Sequence, residues 1–199
     1  MSEEKNKNQS GSIWNVPNTL TMFRVVLIIP FAVFLLGGQR GWFGKNLLVP
    51  DIIADVIFLL ASLTDMLDGK IARAKGLVTN FGKFMDPLAD KLLVCTALIA
   101  LVDMRRIPAW VVIIIIAREF IISGFRLIAS DAGVVIAASY WGKFKTTFQM
   151  LMIVVMIVEP SLVLIGMPVV VVDILMYIAL ALTVISLLDY LIKNRGVLK

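Results

Sequence analysis

The chain has 199 residues, of which 60% are hydrophobic and 17% charged, with a formal net charge of +5 and a mean hydropathy of +0.95. Soluble domains of this length carry more charge and break up their apolar residues, so an ordinary water-soluble domain is excluded for most of the chain. There is no histidine and a single cysteine, which excludes imidazole bases, imidazole or multi-thiolate metal sites, and any disulfide within the chain.

In chain order, residues 1–12 (MSEEKNKNQSGS) are polar and carry both charge signs, which predicts a flexible tail. They lack the basic start and small-residue cleavage site of a secretory leader. Residues 13–17 (IWNVP) predict a short interfacial segment with Trp14 at headgroup level. From there, residues 13–199 read as a single transmembrane domain. Crossing a bilayer takes about 20 apolar residues per helix, and six segments approach that: 20–36, 52–67, 84–102, 109–129, 146–165 and 169–192. The predicted fold class is therefore an all-α integral membrane protein, a six-transmembrane-helix bundle. Pro30 falls inside the first span, and Pro160 and Pro168 bracket the fifth loop, positions that suit a kink and helix boundaries.

Lys and Arg positions give an orientation. Eleven lie on the side shared by the termini and the second and fourth loops, four on the other side, and four within spans. This predicts both termini in the cytosol. Arg105 and Arg106 are expected at the outer headgroups, and Asp173 and Asp189 as solvated helix-end residues. Cys95 lies in an apolar run and suits a small packing residue.

The stretch from Thr64 to Leu92 (TDMLDGKIARAKGLVTNFGKFMDPLADKL) carries the chemistry. Asp65 and Asp68 are three apart and share a helix face, which Ala72 continues; Asp86 and Asp90 are four apart and share another. A short loop over residues 75–80 allows the two helices to run antiparallel and bring the pairs together near the cytosolic surface. One Asp at a helix centre in lipid costs about 2.5–3.5 kcal/mol, so four cost on the order of 10. Four carboxylates facing one cleft also repel each other unless cations sit among them. Pairing with Lys70, Arg73, Lys83 and Lys91 is the plainer explanation for any one of them; it explains four at helical spacing poorly. Gly69 and Gly82 beside the acids let a ligand or a neighbouring helix approach the backbone. Arg73 offers a planar fork suited to phosphate. Carboxylates near cationic groups fit Mg²⁺ or Mn²⁺ bound against a diphosphate. One aspartate less engaged with metal would accept the proton of an attacking hydroxyl; spacing does not say which.

The string Asp65-x2-Asp68-Gly69-x2-Ala72-Arg73-x8-Gly82-x3-Asp86-x3-Asp90 matches every fixed position of the CDP-alcohol phosphotransferase signature, and the chain resembles that family over nearly its whole length after the tail. Further resemblance lies in residues 15–24 (NVPNTLTMFR), 82–91 (GKFMDPLADK), 117–119 (ARE) and 142–146 (GKFKT), closest to the bacterial branch that uses glycerol 3-phosphate. The resemblance implies six transmembrane helices, a homodimer among membrane lipids, and a polar cavity open to the cytosol at the bacterial inner membrane. It implies transfer of a phosphatidyl group from CDP-diacylglycerol to glycerol 3-phosphate with release of CMP, and no nucleic-acid partner. Under it, Asp65, Asp68 and Asp86 are metal ligands, Asp90 is the general base and a ligand as well, and Asp68, Gly69, Ala72, Arg73 and Gly82 line the cytidine-diphosphate site.

An acceptor that already bears a phosphate needs further cations. Arg118 and Arg126 lie eight apart on roughly one face of the fourth span, and Lys143 and Lys145 open the fifth; these four are the candidate acceptor-phosphate residues. Glu119 as a partner accounts for Arg118 equally well, and the cytosolic excess of positive charge accounts for the two lysines. Three other readings stay open: a sibling enzyme with phosphatidylglycerol or an inositol phosphate as acceptor, a cation transporter, and an aspartate-rich prenyltransferase. A transporter would be expected to show midplane acids and inverted repeats, and the single compact array in a short chain argues against a prenyltransferase.

Overall fold

Long runs of Leu, Ile, Val and Ala with few breakers satisfy backbone polar groups within each segment, and every ordered element is helical among the described residues. The computed structural model describes residues 16–44, 48–75, 80–131, 133–134, 136, 139–164 and 166–195; at 16–17, 65–75, 80–84, 86, 161 and 164 it describes the helical backbone only. The helices are α1 (Val16–Gln39), α2 (Leu48–Lys75), α3 (Asn80–Asp103), α4 (Ala109–Asp131), α5 (Tyr140–Ile157), the short α6 (Glu159–Leu164) and α7 (Val169–Lys193). The chain divides into two compact units, Met1–Ala100 and Leu101–Lys199. The predicted tail and most of the predicted interfacial segment lie outside the described residues.

In the first unit α1 packs along α2. Phe31 and Leu35 of α1 and Ala54, Phe58 and Ala61 of α2 are fully buried, and the Phe31 and Phe58 rings meet at 5.7 Å. Alanines at the seam let the two backbones approach closely. The turn after α1 folds back on the helix: the Phe43 ring stacks on Phe34 at 5.0 Å. Gly37 makes room for it, because a Cβ there would stand 2.7 Å from Trp42 and 2.8 Å from Phe43. Gly41 then turns the chain at φ +73°, a conformation glycine adopts without steric cost.

In the second unit α7 packs against α5 and α4. Its buried residues Val172, Met176, Ala179, Thr183, Ser186 and Tyr190 recur in alternating steps of four and three, the spacing of a continuous seam along one helix face. On α4 the same rhythm buries Ile115, Arg118, Ile122, Phe125 and Ala129. On α5 it buries Lys145, Gln149, Met152 and Met156. The seam is apolar at the start of α7 and polar towards its end, where Thr183, Ser186 and Tyr190 lie.

The fifth predicted span, 146–165, is not one helix. Helix α5 begins earlier, at Tyr140, where the Ser139 hydroxyl accepts from the Gly142 N–H at 3.1 Å, an N-cap bond. It ends at Ile157, and α6 follows. Pro160 supplies the physical reason: it has no N–H to give to the Met156 carbonyl four residues back. Arg106 takes that role instead, donating from Nη1 to the Met156 carbonyl at 2.9 Å and also to that of Ile157. Arg106, expected at the outer headgroups, thus caps a helix C-terminus, where its positive charge also suits the helix dipole. Arg105 stays exposed.

Among the described residues two helices are long and apolar enough to cross a membrane: Asn18–Gln39 within α1, with mean hydropathy 2.3, and Val169–Lys193, with mean hydropathy 2.5. Their outward faces carry Val26, Ile29 and Val33, and Val170, Ile174, Ile185 and Ile192. Such faces suit the lipid of a membrane.

Candidate functional site

Asp65, Asp68, Gly69, Ala72 and Arg73 all fall on the last three turns of α2, and Gly82, Asp86 and Asp90 on the first three turns of α3. The helical backbone therefore gives each aspartate pair a shared face, as the spacing predicted. The connection 76–79 and the side chains of Asp65, Asp68, Arg73 and Asp86 lie outside the described residues. Among the described residues no three His, Cys, Asp or Glu side chains gather as a metal centre; of the array only Asp90 is among them. Its side chain is exposed and is not isolated. Pro87, inside α3 and between the two acids of the pair in sequence, has no N–H to give to the carbonyl of residue 83 four positions back.

Two further polar groups of the first unit escaped the sequence reading. On α1, Asn18, Thr21 and Arg24 form a buried stripe at three-residue spacing, with Arg24 fully buried. On α2, Asp51 and Asp55 are also buried. Asp55 lies ten residues from Asp65, about 15 Å along the helix axis, so this pair stands apart from the array. Acids four apart in an apolar helix were the available signal.

The second unit holds a cation cluster built from three helices. Arg118 of α4 donates from Nε to the Ser186 hydroxyl of α7 at 3.2 Å. That hydroxyl in turn donates to the Thr183 carbonyl at 2.9 Å, which fixes its lone pair towards the guanidinium. Arg118 Nη1 pairs with Glu119 Oε1 at 3.3 Å, and Lys145 Nζ of α5 pairs with the same oxygen. Side-chain exposures are 10% for Arg118, 3% for Lys145 and 21% for Glu119. A Cβ at Gly142 would stand 3.6 Å from Arg118 Nη2, so α5 begins against the guanidinium. Two largely buried cations share one carboxylate. Cations gathered in a low-dielectric setting suit an anionic ligand.

The four candidate acceptor residues therefore separate. Arg118 and Lys145 converge through Glu119. Arg126 is exposed, with a long bond from Nη2 to the Ile136 carbonyl at 3.4 Å. Lys143 is exposed, and its side chain has no partner among the described residues. The partner expected for Arg118, Glu119, is present, and it holds Lys145 as well. Ser186 was missed, because a serine in an apolar helix gives no signal without knowledge of what α7 faces.

A match to the family described as CDP-alcohol phosphatidyltransferase runs over residues 14–185. The chain belongs to that family. It is 40% identical over 192 residues to the CDP-diacylglycerol–glycerol-3-phosphate 3-phosphatidyltransferase of Bacillus subtilis (strain 168), covering 94% of this chain and 98% of that one. It is 38% identical to the protein of the same name from Haemophilus influenzae, covering 92% and 95% of the two chains. The Salmonella choleraesuis protein of that name is 36% identical, covering 92% and 96%. The match takes in the aspartate array and Arg118, Glu119 and Lys145 of the cation cluster, and it begins after the polar tail.

Proposed function

We propose that this chain transfers the phosphatidyl group of CDP-diacylglycerol to glycerol 3-phosphate, giving phosphatidylglycerophosphate and CMP. Family membership and the relatives' names support the reaction. A phosphate-bearing acceptor is supported by one structural observation above the others: Arg118 and Lys145, buried together on a single shared carboxylate.

In this reading the glycerol hydroxyl attacks the lipid-linked phosphorus in line. One P–O bond forms to the acceptor oxygen, and the P–O bond to the CMP phosphate breaks, with its electron pair leaving on CMP. Asp90 accepts the hydroxyl proton; it is exposed enough on α3 to meet a substrate. Asp68, Gly69, Ala72, Arg73 and Gly82 line the cytidine-diphosphate site, with the small residues admitting the nucleotide and Arg73 pairing with phosphate. Arg118 and Lys145 bind the acceptor phosphate, with Arg126 at the margin.

Asp65, Asp68, Asp86 and Asp90 fit a hard divalent ion, Mg²⁺ or Mn²⁺. They offer only oxygen, in same-face pairs on two consecutive helices, and the chain has no histidine to compete for softer metals. When bound, such an ion offsets charge on the diphosphate and on the departing phosphate. The six long helices all cross the membrane in this reading, with both termini and the aspartates cytosolic at the inner membrane, and two copies form a dimer. The lysine and arginine distribution supports that orientation.

The test is CMP release by purified protein given CDP-diacylglycerol, Mg²⁺ and one acceptor at a time. Glycerol 3-phosphate is expected to support release far better than phosphatidylglycerol or inositol phosphate. Preference for another acceptor sinks the assignment.

A further inference from the structure

Helix α5 buries Lys145, Gln149, Met152 and Met156 along one face. Gln149 is 3% exposed, and its Oε1 is buried with no hydrogen-bond partner among the described residues. It is the last polar residue of α5. Beyond it Met152, Ile153, Met156 and Ile157 are all at or below 1% exposure. Gln149 therefore lies between the Lys145–Glu119 pair on one side and an apolar interior on the other. A buried amide oxygen left without a donor is costly, and leucine or methionine would fill the space without that cost. Packing alone does not call for glutamine here.

Helix geometry ties Gln149 to the cation cluster. Lys145 and Gln149 are four apart and both buried, which on a helix puts their Cβ atoms about 5–6 Å from one another. Helical side chains lean towards the N-terminus of their helix, so that of Gln149 leans towards the turn that carries Lys145. From that turn Lys145 Nζ pairs with Glu119 Oε1 of α4, the oxygen that Arg118 also meets at 3.3 Å. The unpartnered atom of Gln149 is an acceptor, and an ionised phosphate only accepts, so the phosphate of a ligand does not satisfy it. A hydroxyl does. It donates to an amide oxygen and accepts from an amide N–H, and so matches either end of the side chain.

We propose that Gln149 accepts a hydrogen bond from the hydroxyl of the acceptor substrate that does not react, making Gln149 a specificity-determining residue for a phosphorylated diol. This rests on the reading of Arg118 and Lys145 as the acceptor-phosphate site. The terminal, primary hydroxyl of glycerol 3-phosphate is its less hindered nucleophile, which leaves the central one free to bind. The central hydroxyl is carried by the carbon next to the phosphate ester carbon, and that span fits the single helical turn between Lys145 and Gln149. A buried group that pairs with a substrate hydroxyl selects against an analogue lacking it, because the group is then left unpaired.

The experiment compares glycerol 3-phosphate with 3-hydroxypropyl phosphate, which keeps the phosphate and the terminal hydroxyl and lacks the central one. The full-length parent, Gln149→Met and Lys145→Gln are assayed for CMP release in lipid nanodiscs. The parent is expected to show a KM about tenfold lower for glycerol 3-phosphate than for the analogue, the scale of one hydrogen bond to a buried group. Gln149→Met raises KM for glycerol 3-phosphate by that factor and leaves KM for the analogue near the parent's, so the preference disappears. Its melting temperature holds or rises, because an unpaired buried amide has been removed. Lys145→Gln raises both KM values alike, since both substrates carry the phosphate. A parent that does not distinguish the two substrates overturns the proposal, as does a Gln149→Met that weakens both equally. If Lys145→Gln raises both KM values while Gln149→Met keeps the preference, the role of Gln149 fails and the phosphate-site reading stands. If Lys145→Gln changes neither, the site reading itself fails and the proposal fails with it.

Discussion

The aspartate array and the cation cluster are assembled in opposite ways. The array lies within 26 consecutive positions on the ends of two consecutive helices, so its members are close along the chain. The cluster takes Arg118 and Glu119 from α4, Lys145 from α5 and Ser186 from α7, and only helix packing joins them. Local assembly makes a site robust to the details of packing. Assembly across helices ties anything the cluster binds to the integrity of the whole second unit. The two regions should therefore fail differently under mutation, the first by losing chemistry with the fold intact, the second by losing affinity and stability together.

The largest effect is expected at the array. Asp90→Asn keeps size and helix position while removing the proposed proton acceptor, and CMP release should fall by about 10²–10⁴-fold. Asp68→Asn should fall at least as far. The melting temperature of either variant should hold or rise, because one of several mutually repelling carboxylates has been neutralised. A variant that loses activity only in proportion to lost stability would erase the contrast between the two regions.

Next is Glu119→Gln. Arg118 and Lys145 would then stand largely buried with no carboxylate between them, a loss of about 3 kcal/mol by analogy with breaking a buried ion pair. Thermal unfolding checks this. Inorganic phosphate is expected to restore part of the loss by binding the native state alone. Stability indifferent to both the mutation and phosphate would show that the shared carboxylate holds nothing together.

That contrast also explains what the sequence could show. Asp65, Asp68, Asp86 and Asp90 were legible because helical spacing converts directly into a shared face, and the eight fixed residues of the signature lie in one stretch. The long helices were legible because apolar run length is a local property. Helix α5 was placed wrongly at both ends. Its start depends on the Ser139 cap, and its end on Pro160 acting with Arg106, a residue 50 positions from the carbonyl it serves. Arg106 itself was assigned to headgroups because its partner is invisible in its own neighbourhood. The split among Arg118, Arg126, Lys143 and Lys145, and the presence of Ser186, depended on which face α7 presents. No local pattern encodes that.

Arg106→Met is the next step down. It retains an apolar stem but leaves the Met156 carbonyl, already denied a partner by Pro160, without a donor. A loss of about 1–3 kcal/mol is expected, read as a lower melting temperature with KM for both substrates unchanged. A shift in acceptor KM would mean that the break between α5 and α6 is coupled to the cation cluster.

The smallest effect is expected at Lys143, and it sharpens the comparison most economically. Lys143 and Lys145 are two residues apart on α5, which turns them about 200° from one another around the helix axis. Lys145 is buried on Glu119, while Lys143 points to an exposed surface. Lys143→Gln should therefore change KM for glycerol 3-phosphate less than about twofold, as an exposed charge screened by salt does. Lys145→Gln should raise it about tenfold or more, the scale of losing a charge-assisted bond to phosphate. Equal effects would mean that net positive charge on this side of the membrane matters and that the geometry at Glu119 does not. The cluster would then act as a diffuse field, and the distinction between a site built by connectivity and one built by packing would collapse.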